Sequence, residues 1–314
     1  MAKYFLTGAS GCIGGWVAKN FVERGDEVFA LVRNPSNINK LELIMDKNDI
    51  TKMHLVHGDV TDLKLISETL KKYGVERIIH LAGMQLPLCR LDPPLGARVN
   101  VEGTVNIFWA ALEAGIEQVV YSSSTAVYGG LEDYPGGVFD HHSPLLPKTF
   151  YGVYKMDNEL SAKVFFNEKG ISSIGIRPFV VYGPLRDQGL TSTPTTAIKC
   201  AVKGESYEIS YGGKCDFQYT NDAAIAFIQA ADTKYTGAEC FNLGGGSTDM
   251  ADIVATIEQV LPSAKGNITY INSPLPFAEH KDTGELEKVI GSFKRTTLLD
   301  GITKSVNIFK EAQK

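Results

Sequence analysis

Residues 3–24 read Lys3-Tyr4-Phe5-Leu6-Thr7-Gly8-Ala9-Ser10-Gly11-Cys12-Ile13-Gly14-Gly15-Trp16-Val17-Ala18-Lys19-Asn20-Phe21-Val22-Glu23-Arg24. A short apolar run, Lys3–Leu6, passes through glycines into a helical pattern over Ile13–Arg24, which Gly25-Asp26 ends. Glycines between a strand and a helix permit a tight turn. They also let the backbone approach a pyrophosphate, which the free N–H groups and dipole of the helix N-terminus favour. Gly8, Ser10, Gly11, Cys12, Ile13 and Gly14 are therefore the expected dinucleotide cradle, with GxxGxxG spacing in place of GxGxxG.

The same rhythm repeats downstream. Glu27–Val32, Met53–Val56, Arg77–Leu81, Gln118–Ser122 and Ser173–Arg177 read as strands, and Leu63–Tyr73, Val101–Ala114 and Tyr151–Asn167 as helices. Short β-rich runs separated by helices of this length imply parallel strands joined by crossovers, hence an α/β fold with a Rossmann-type doubly wound sheet. After Arg177 the pattern changes. Residues 184–220 are rich in Thr, Gly and Pro around one helix, Thr195–Lys203. Asn221–Ala231 reads as a helix, Glu239–Leu243 as a strand, Met250–Leu261 as a helix and Asn267–Tyr270 as a strand, followed by a polar end. The expected division is a dinucleotide-binding domain of residues 1–183 plus 217–245, with a small substrate lobe of residues 184–216 plus 246–314.

Composition narrows the function. Of 314 residues, 44% are hydrophobic and 21% charged, which excludes a disordered chain. The net charge of −5 comes without a long basic run, so no nucleic-acid partner is expected. No apolar stretch approaches the roughly 18 residues that span a bilayer. Five cysteines, odd in number and without CxxC spacing, fit a reduced, cytoplasmic chain with no disulfide frame and no metal site.

The second strand ends in Val32-Arg33-Asn34, with no carboxylate for a ribose 2′-hydroxyl. Arg33 can meet a 2′-phosphate, so NADP is the preferred expectation and NAD the other. Asp59, after the third strand, is placed for the adenine amino group or for a turn. Tyr151-Gly152-Val153-Tyr154-Lys155 opens a helix and puts Tyr151 and Lys155 on one face. A neighbouring ammonium would lower the phenol from its ordinary value of about 10. Ser122-Ser123-Ser124-Thr125-Ala126-Val127-Tyr128-Gly129 follows the fifth strand, at a carboxyl edge where ligands bind.

Together with Gly58-Asp59-Val60, His80-Leu81-Ala82-Gly83, Asn100-Val101-Glu102-Gly103-Thr104 and Arg177-Pro178-Phe179-Val180-Val181-Tyr182-Gly183-Pro184, these segments resemble the extended short-chain dehydrogenase/reductase superfamily, in its NAD(P)-dependent epimerase/dehydratase-like branch. The resemblance covers nearly the whole chain. It implies that Tyr151 is the catalytic acid/base, Lys155 its tuner and a holder of the nicotinamide ribose, and Ser124 the partner of the reacting oxygen. It further implies that Val60, Leu81, Ala82, Gly83, Pro178 and Val181 line the cofactor while Asn100 braces the strands around it. It also implies a homodimer built on a four-helix bundle, with Val105, Phe108, Trp109, Leu112, Val164 and Phe165 supplying apolar area.

Two departures stand out. Sugar-nucleotide members commonly carry Asn where this chain has Val180, and an Arg that meets the substrate diphosphate where it has Cys215. Thr125-Ala126 replaces the Asp-Glu pair of 4,6-dehydratases, so dehydration is not expected. Met84, Gln85 and Arg90, just beyond the fourth strand, are substrate candidates beside Ser124, Thr125 and Val180, whereas His141-His142 read as solvated loop residues. The leading expectation is an oxidoreductase moving hydride between nicotinamide and a secondary alcohol or ketone of a sugar-like substrate. A nucleotide-sugar 4-epimerase with retained NAD is the alternative. A non-catalytic cofactor sensor is a third reading, which the complete Ser124, Tyr151 and Lys155 set argues against.

Overall fold

Strand Lys3–Thr7 is buried on both sides, and its alternation builds two cores at once. Tyr4 and Leu6 point to one face and Phe5 to the other, all at most 1% exposed. In Glu27–Val32, Val28, Ala30 and Val32 join the first face, and Phe29 and Leu31 the second. The computed structural model describes residues 1–313. In it seven parallel strands run, across the sheet, Ala238–Asn242, Ser172–Arg177, Gln118–Ser122, Arg77–His80, Lys3–Thr7, Glu27–Val32 and His54–His57. Helices Cys12–Arg24 and Thr220–Asp232 cover one face; Leu63–Tyr73, Gly103–Ala114 and Phe150–Lys169 cover the other. The strand order reverses beside Lys3–Thr7, which opens a crevice at the carboxyl ends.

A second core lies beyond that crevice. Strand Lys214–Tyr219 runs parallel to Val180–Tyr182 and antiparallel to Ser247–Asp249. Tyr182, Phe217 and Tyr219 from this sheet pack with Ile198, Ile253 and Ile302 from helices Thr193–Lys203, Met250–Val260 and Leu298–Glu311.

Three elements differ from the sequence expectation. The tail is not simply a polar end. Its helix Leu298–Glu311 buries Ile302, Val306 and Phe309 on one stripe and exposes Lys304, Lys310 and Glu311, while Leu286 and Ile290 of helix Glu285–Ile290 join the first core. The helix expected over Val101–Ala114 starts at Gly103 and is preceded by a short helix, Pro93–Ala97, and a π-helical turn, Arg98–Glu102. The π turn aims Asn100 inward, where it is 1% exposed. Finally, the strands Val180–Tyr182 and Ser247–Asp249 are only three residues long, too short to leave a periodic signal.

Candidate active site

The crevice holds a cavity of about 910 Å³. Its floor is the glycine turn. Gly8 has φ +75°, and a Cβ there would meet the backbone of Leu81 and Ala82 at 2.8 Å. A Cβ on Gly14 would lie 2.1 Å from the Gly8 carbonyl oxygen, so the helix can start this close only without side chains. No side chain caps helix Cys12–Arg24 and no acid occupies its first turn. The Gly11 N–H turns back to the Gly8 carbonyl at 2.9 Å, and the uncapped N–H groups of Cys12, Ile13 and Gly14, which line the cavity, suit a pyrophosphate.

The strand Arg77–His80 presents the neighbouring wall. Burial holds His80 well below its ordinary value, at about 3, so it sits neutral between Thr7 Oγ1 (2.7 Å) and Thr104 Oγ1 (3.1 Å). Thr7 Oγ1 also accepts from the Leu81 and Ala82 amides, which fixes the chain as it leaves the strand. Asp59 Oδ1 is taken up by the Thr61 amide and hydroxyl, a turn role, while Oδ2 lies 3.8 Å from Arg33 Nε. Arg33 is exposed at the rim, and Asn34 caps its own turn through Ser36.

Helix Phe150–Lys169 brings in the acid/base candidates, starting at the Thr149 cap. Tyr151 and Lys155 share its cavity-facing side, with Lys155 Nζ 5.8 Å from the Tyr151 ring centre. The Tyr151 phenol faces the Ser124 side chain, and Ser124 Oγ accepts from the Ala126 amide at 3.2 Å. Lys155 Nζ donates to the Ser122 carbonyl at 2.7 Å. Here the electrostatics correct the sequence argument. Burial raises the Tyr151 phenol above its ordinary value, and the groups that pull it down are Ser124 and then Arg186, not the Lys155 ammonium. Burial in turn lowers Lys155 to about 8.

Gly152 explains how the helix approaches Ser124 at all: a Cβ there would lie 2.1 Å from the Ala126 carbonyl oxygen. Gly152→Ala should therefore push the helix off the Ser124–Val127 turn. It should cost about 1–3 kcal/mol of stability and lower turnover by separating Tyr151 from Ser124, measurable by denaturant melts and steady-state rates. A variant of wild-type stability and rate would show that the turn yields.

The cavity gathers Gly8, Ser10, Gly11, Cys12, Ile13, Gly14, Arg33, Asp59, Val60, Leu81, Ala82, Gly83, Met84, Gln85, Ser124, Thr125, Tyr151, Lys155, Pro178, Val180 and Val181. It does not include Arg90 or Asn100. Arg90 is exposed outside the cavity on the short helix Leu86–Leu91, a correction to its place as a substrate residue. Asn100 acts behind the wall: its Oδ1 accepts from the Met84 amide and its Nδ2 donates to the Met84 carbonyl, so it shapes the loop without lining the cavity. His141 is also not solvated. It stacks on Phe241 at 5.3 Å and faces a separate small cavity. His142 is exposed, as read.

Sequence reasoning missed the far wall. Asp216 and His280, 2.7 Å apart, both line the cavity, and His280 stacks on Phe179 at 4.4 Å. Residue 280 lies far along the chain in an unpatterned stretch, so only the fold brings it here. Arg186 lines the mouth as well; a cation just after Gly183-Pro184 in a glycine-bounded loop was the available signal. Among the described residues no cluster of His, Cys, Asp or Glu could hold a metal ion, and no helix is long and apolar enough to cross a membrane.

The family model for the NAD dependent epimerase/dehydratase family matches residues 4–244. The chain belongs to this family. It is an enzyme of the extended short-chain dehydrogenase/reductase type. It is 27% identical to a UDP-glucose 4-epimerase of Mycolicibacterium smegmatis, over 98% of each chain. Its fold is similar to that of a UDP-glucose 4-epimerase from Thermotoga maritima crystallised with UDP-glucose: TM-score 0.84, 18% identity, covering 99% of this chain and 100% of that one. It is likewise similar to MoeE5 in complex with UDP-glucose and NAD, with TM-score 0.80 and 24% identity over 100% of both chains.

Proposed function

We propose that this family member is a nucleotide-sugar 4-epimerase that retains NAD. The observation that carries the reading is the full-length similarity to a UDP-glucose 4-epimerase, joined to one cavity with the Ser124–Tyr151–Lys155 group between a pyrophosphate-suited turn and a second wall. This prefers the alternative over the simple dehydrogenase expected first. The dehydrogenase remains the second reading, favoured by Val180 and Cys215, which supply no polar contact of the usual kind to a diphosphate.

The cofactor proposal also moves from NADP to NAD. MoeE5 is bound to NAD, and Arg33 already faces the Asp59 carboxylate, which offsets its attraction for a 2′-phosphate. When bound, nicotinamide supplies the hydride acceptor and donor. Tyr151 Oη takes the proton of the sugar hydroxyl as the ketone forms and returns it after the sugar has turned. Ser124 holds that oxygen and lowers the phenol, while the Lys155 ammonium is fixed beside them on the Ser122 carbonyl. Thr125 and Ala126 offer no carboxylate beside the sugar, so the ring is not dehydrated. Purified protein, once denatured, should release NAD rather than NADP, and should interconvert UDP-glucose and UDP-galactose without added cofactor. Stoichiometric consumption of added NAD would instead favour the dehydrogenase.

The assembly proposed is a homodimer, but not through all the residues expected. Phe108 is fully buried against the sheet, whereas Trp109, Val153, Leu160 and Val164 expose a common apolar face on the two long helices. Light scattering at micromolar concentration should give twice the monomer mass; a monomer would dismiss the dimer.

A further inference from the structure

Arg186 is a cavity cation without a counter-charge. Arg33 lies 3.8 Å from Asp59 and Lys40 lies 2.8 Å from Asp187. Lys155 is bonded to a carbonyl, and Lys214, which also lines the cavity without an ion pair among the described residues, is exposed. Among the described residues no carboxylate lies within ion-pair distance of Arg186, its Nε is fully buried with no acceptor, and only Nη2 has a partner, Thr191 Oγ1 at 3.0 Å. A buried guanidinium donor without an acceptor is costly, so the site is complete only when a ligand brings an anion.

The position is held from both sides. Trp16 Nε1 donates to the Pro184 carbonyl at 3.1 Å, Leu185 takes a positive φ of 74°, and the Lys40–Asp187 pair follows. Arg186 lines the same cavity as Cys12 of the glycine turn, Tyr151 and Cys215, so it shares that cavity with position 215 while coming from a different element.

We infer that Arg186 binds the diphosphate of a nucleotide substrate, supplying from the 184–192 loop the guanidinium that Cys215 does not. A planar fork whose Nε–H is buried without an acceptor matches phosphate oxygens, which a lysine would meet only as a point charge. Two diphosphates would share this cavity, and the cofactor's already has the helix N-terminus. The inference rests on the nucleotide-sugar reading, and its test separates the two.

Calorimetric titration with UDP and with uridine, and NAD content after denaturation, would be compared for wild type, Arg186→Gln and Arg186→Lys. UDP affinity should fall about 10- to 150-fold in Arg186→Gln, the worth of a charged hydrogen bond, and less in Arg186→Lys. Uridine affinity, NAD content and melting temperature should hold. Loss of NAD with UDP affinity intact would move the anchored diphosphate to the cofactor and overturn the substrate assignment. Equal weakening of uridine and UDP would mean a shape role only and overturn it too, as would unchanged UDP binding. A wild-type protein that does not bind UDP would remove the nucleotide-sugar reading, and this assignment with it.

Discussion

Tyr151→Phe is expected to lower the chemical step by about 10²–10⁴-fold, the usual worth of a positioned acid/base. The change deletes one oxygen, which faces Ser124 at the cavity wall. Helix Phe150–Lys169, the Gly152 contact and the glycine turn do not depend on it. Melting temperature and retained NAD should therefore match wild type, and single-turnover reduction of the bound cofactor by substrate should carry the whole loss. Lys155→Met should slow the same step and also weaken NAD retention, because its ammonium lies 5.8 Å from the Tyr151 ring centre and lines the cavity proposed to hold the dinucleotide. A Tyr151→Phe protein with near-normal turnover would return YGVYK to ordinary helix packing and leave the cavity without an assigned proton carrier.

The second large effect is on stability. Behind the acid/base group, Glu159 and Arg177 form a buried fork, with Arg177 Nε 2.8 Å from Glu159 Oε1 and a second contact through Nη2. Ser123 Oγ donates to the same carboxylate, and Arg177 continues to Tyr128 and Asn242. Arg177 and Glu159 are 4% and 3% exposed, so each charge depends on the other. Glu159→Ala should cost about 3–5 kcal/mol, because it leaves a guanidinium in the interior without its carboxylate. Guanidinium-chloride melts would read this as a lower midpoint at similar slope. Glu159→Leu combined with Arg177→Met should recover much of the loss, since an apolar pair strands no charge. A single variant within 1 kcal/mol of wild type would mean that water or a neighbour replaces the carboxylate.

The central sheet was legible because its signal is local. Glu27–Val32, Leu63–Tyr73 and Gln118–Ser122 carry their periodicity within one element, and the structure places them at those residues. The second core was less legible because its strands are short and its helices meet only through the fold. Ile302, Val306 and Phe309 look like scattered apolar residues until Tyr182 and Tyr219 are placed against them. The glycine turn, Ser124, Tyr151 and Lys155 could be read for the same local reason. His280 could not, since it has no motif around it, and Arg186 had only its place after Gly183-Pro184 to mark it. Arg90 was misplaced because the turn into helix Leu86–Leu91 decides which side chains face inward, and sequence spacing alone does not reveal that turn.

The order in which the chain is made gives the late helix Leu298–Glu311 a temporal meaning. All seven strands of the central sheet have been synthesised by Asn242, whereas the second core waits for Ile302, Val306 and Phe309. A chain folding from its N-terminal side during translation thus assembles the pyrophosphate turn, Ser124 and Tyr151 while Tyr182, Phe217 and Tyr219 still lie uncovered. Until helix Leu298–Glu311 arrives, those aromatic faces are apolar surface that a neighbouring nascent chain can meet, so the second core is the part of the molecule most exposed to aggregation during synthesis.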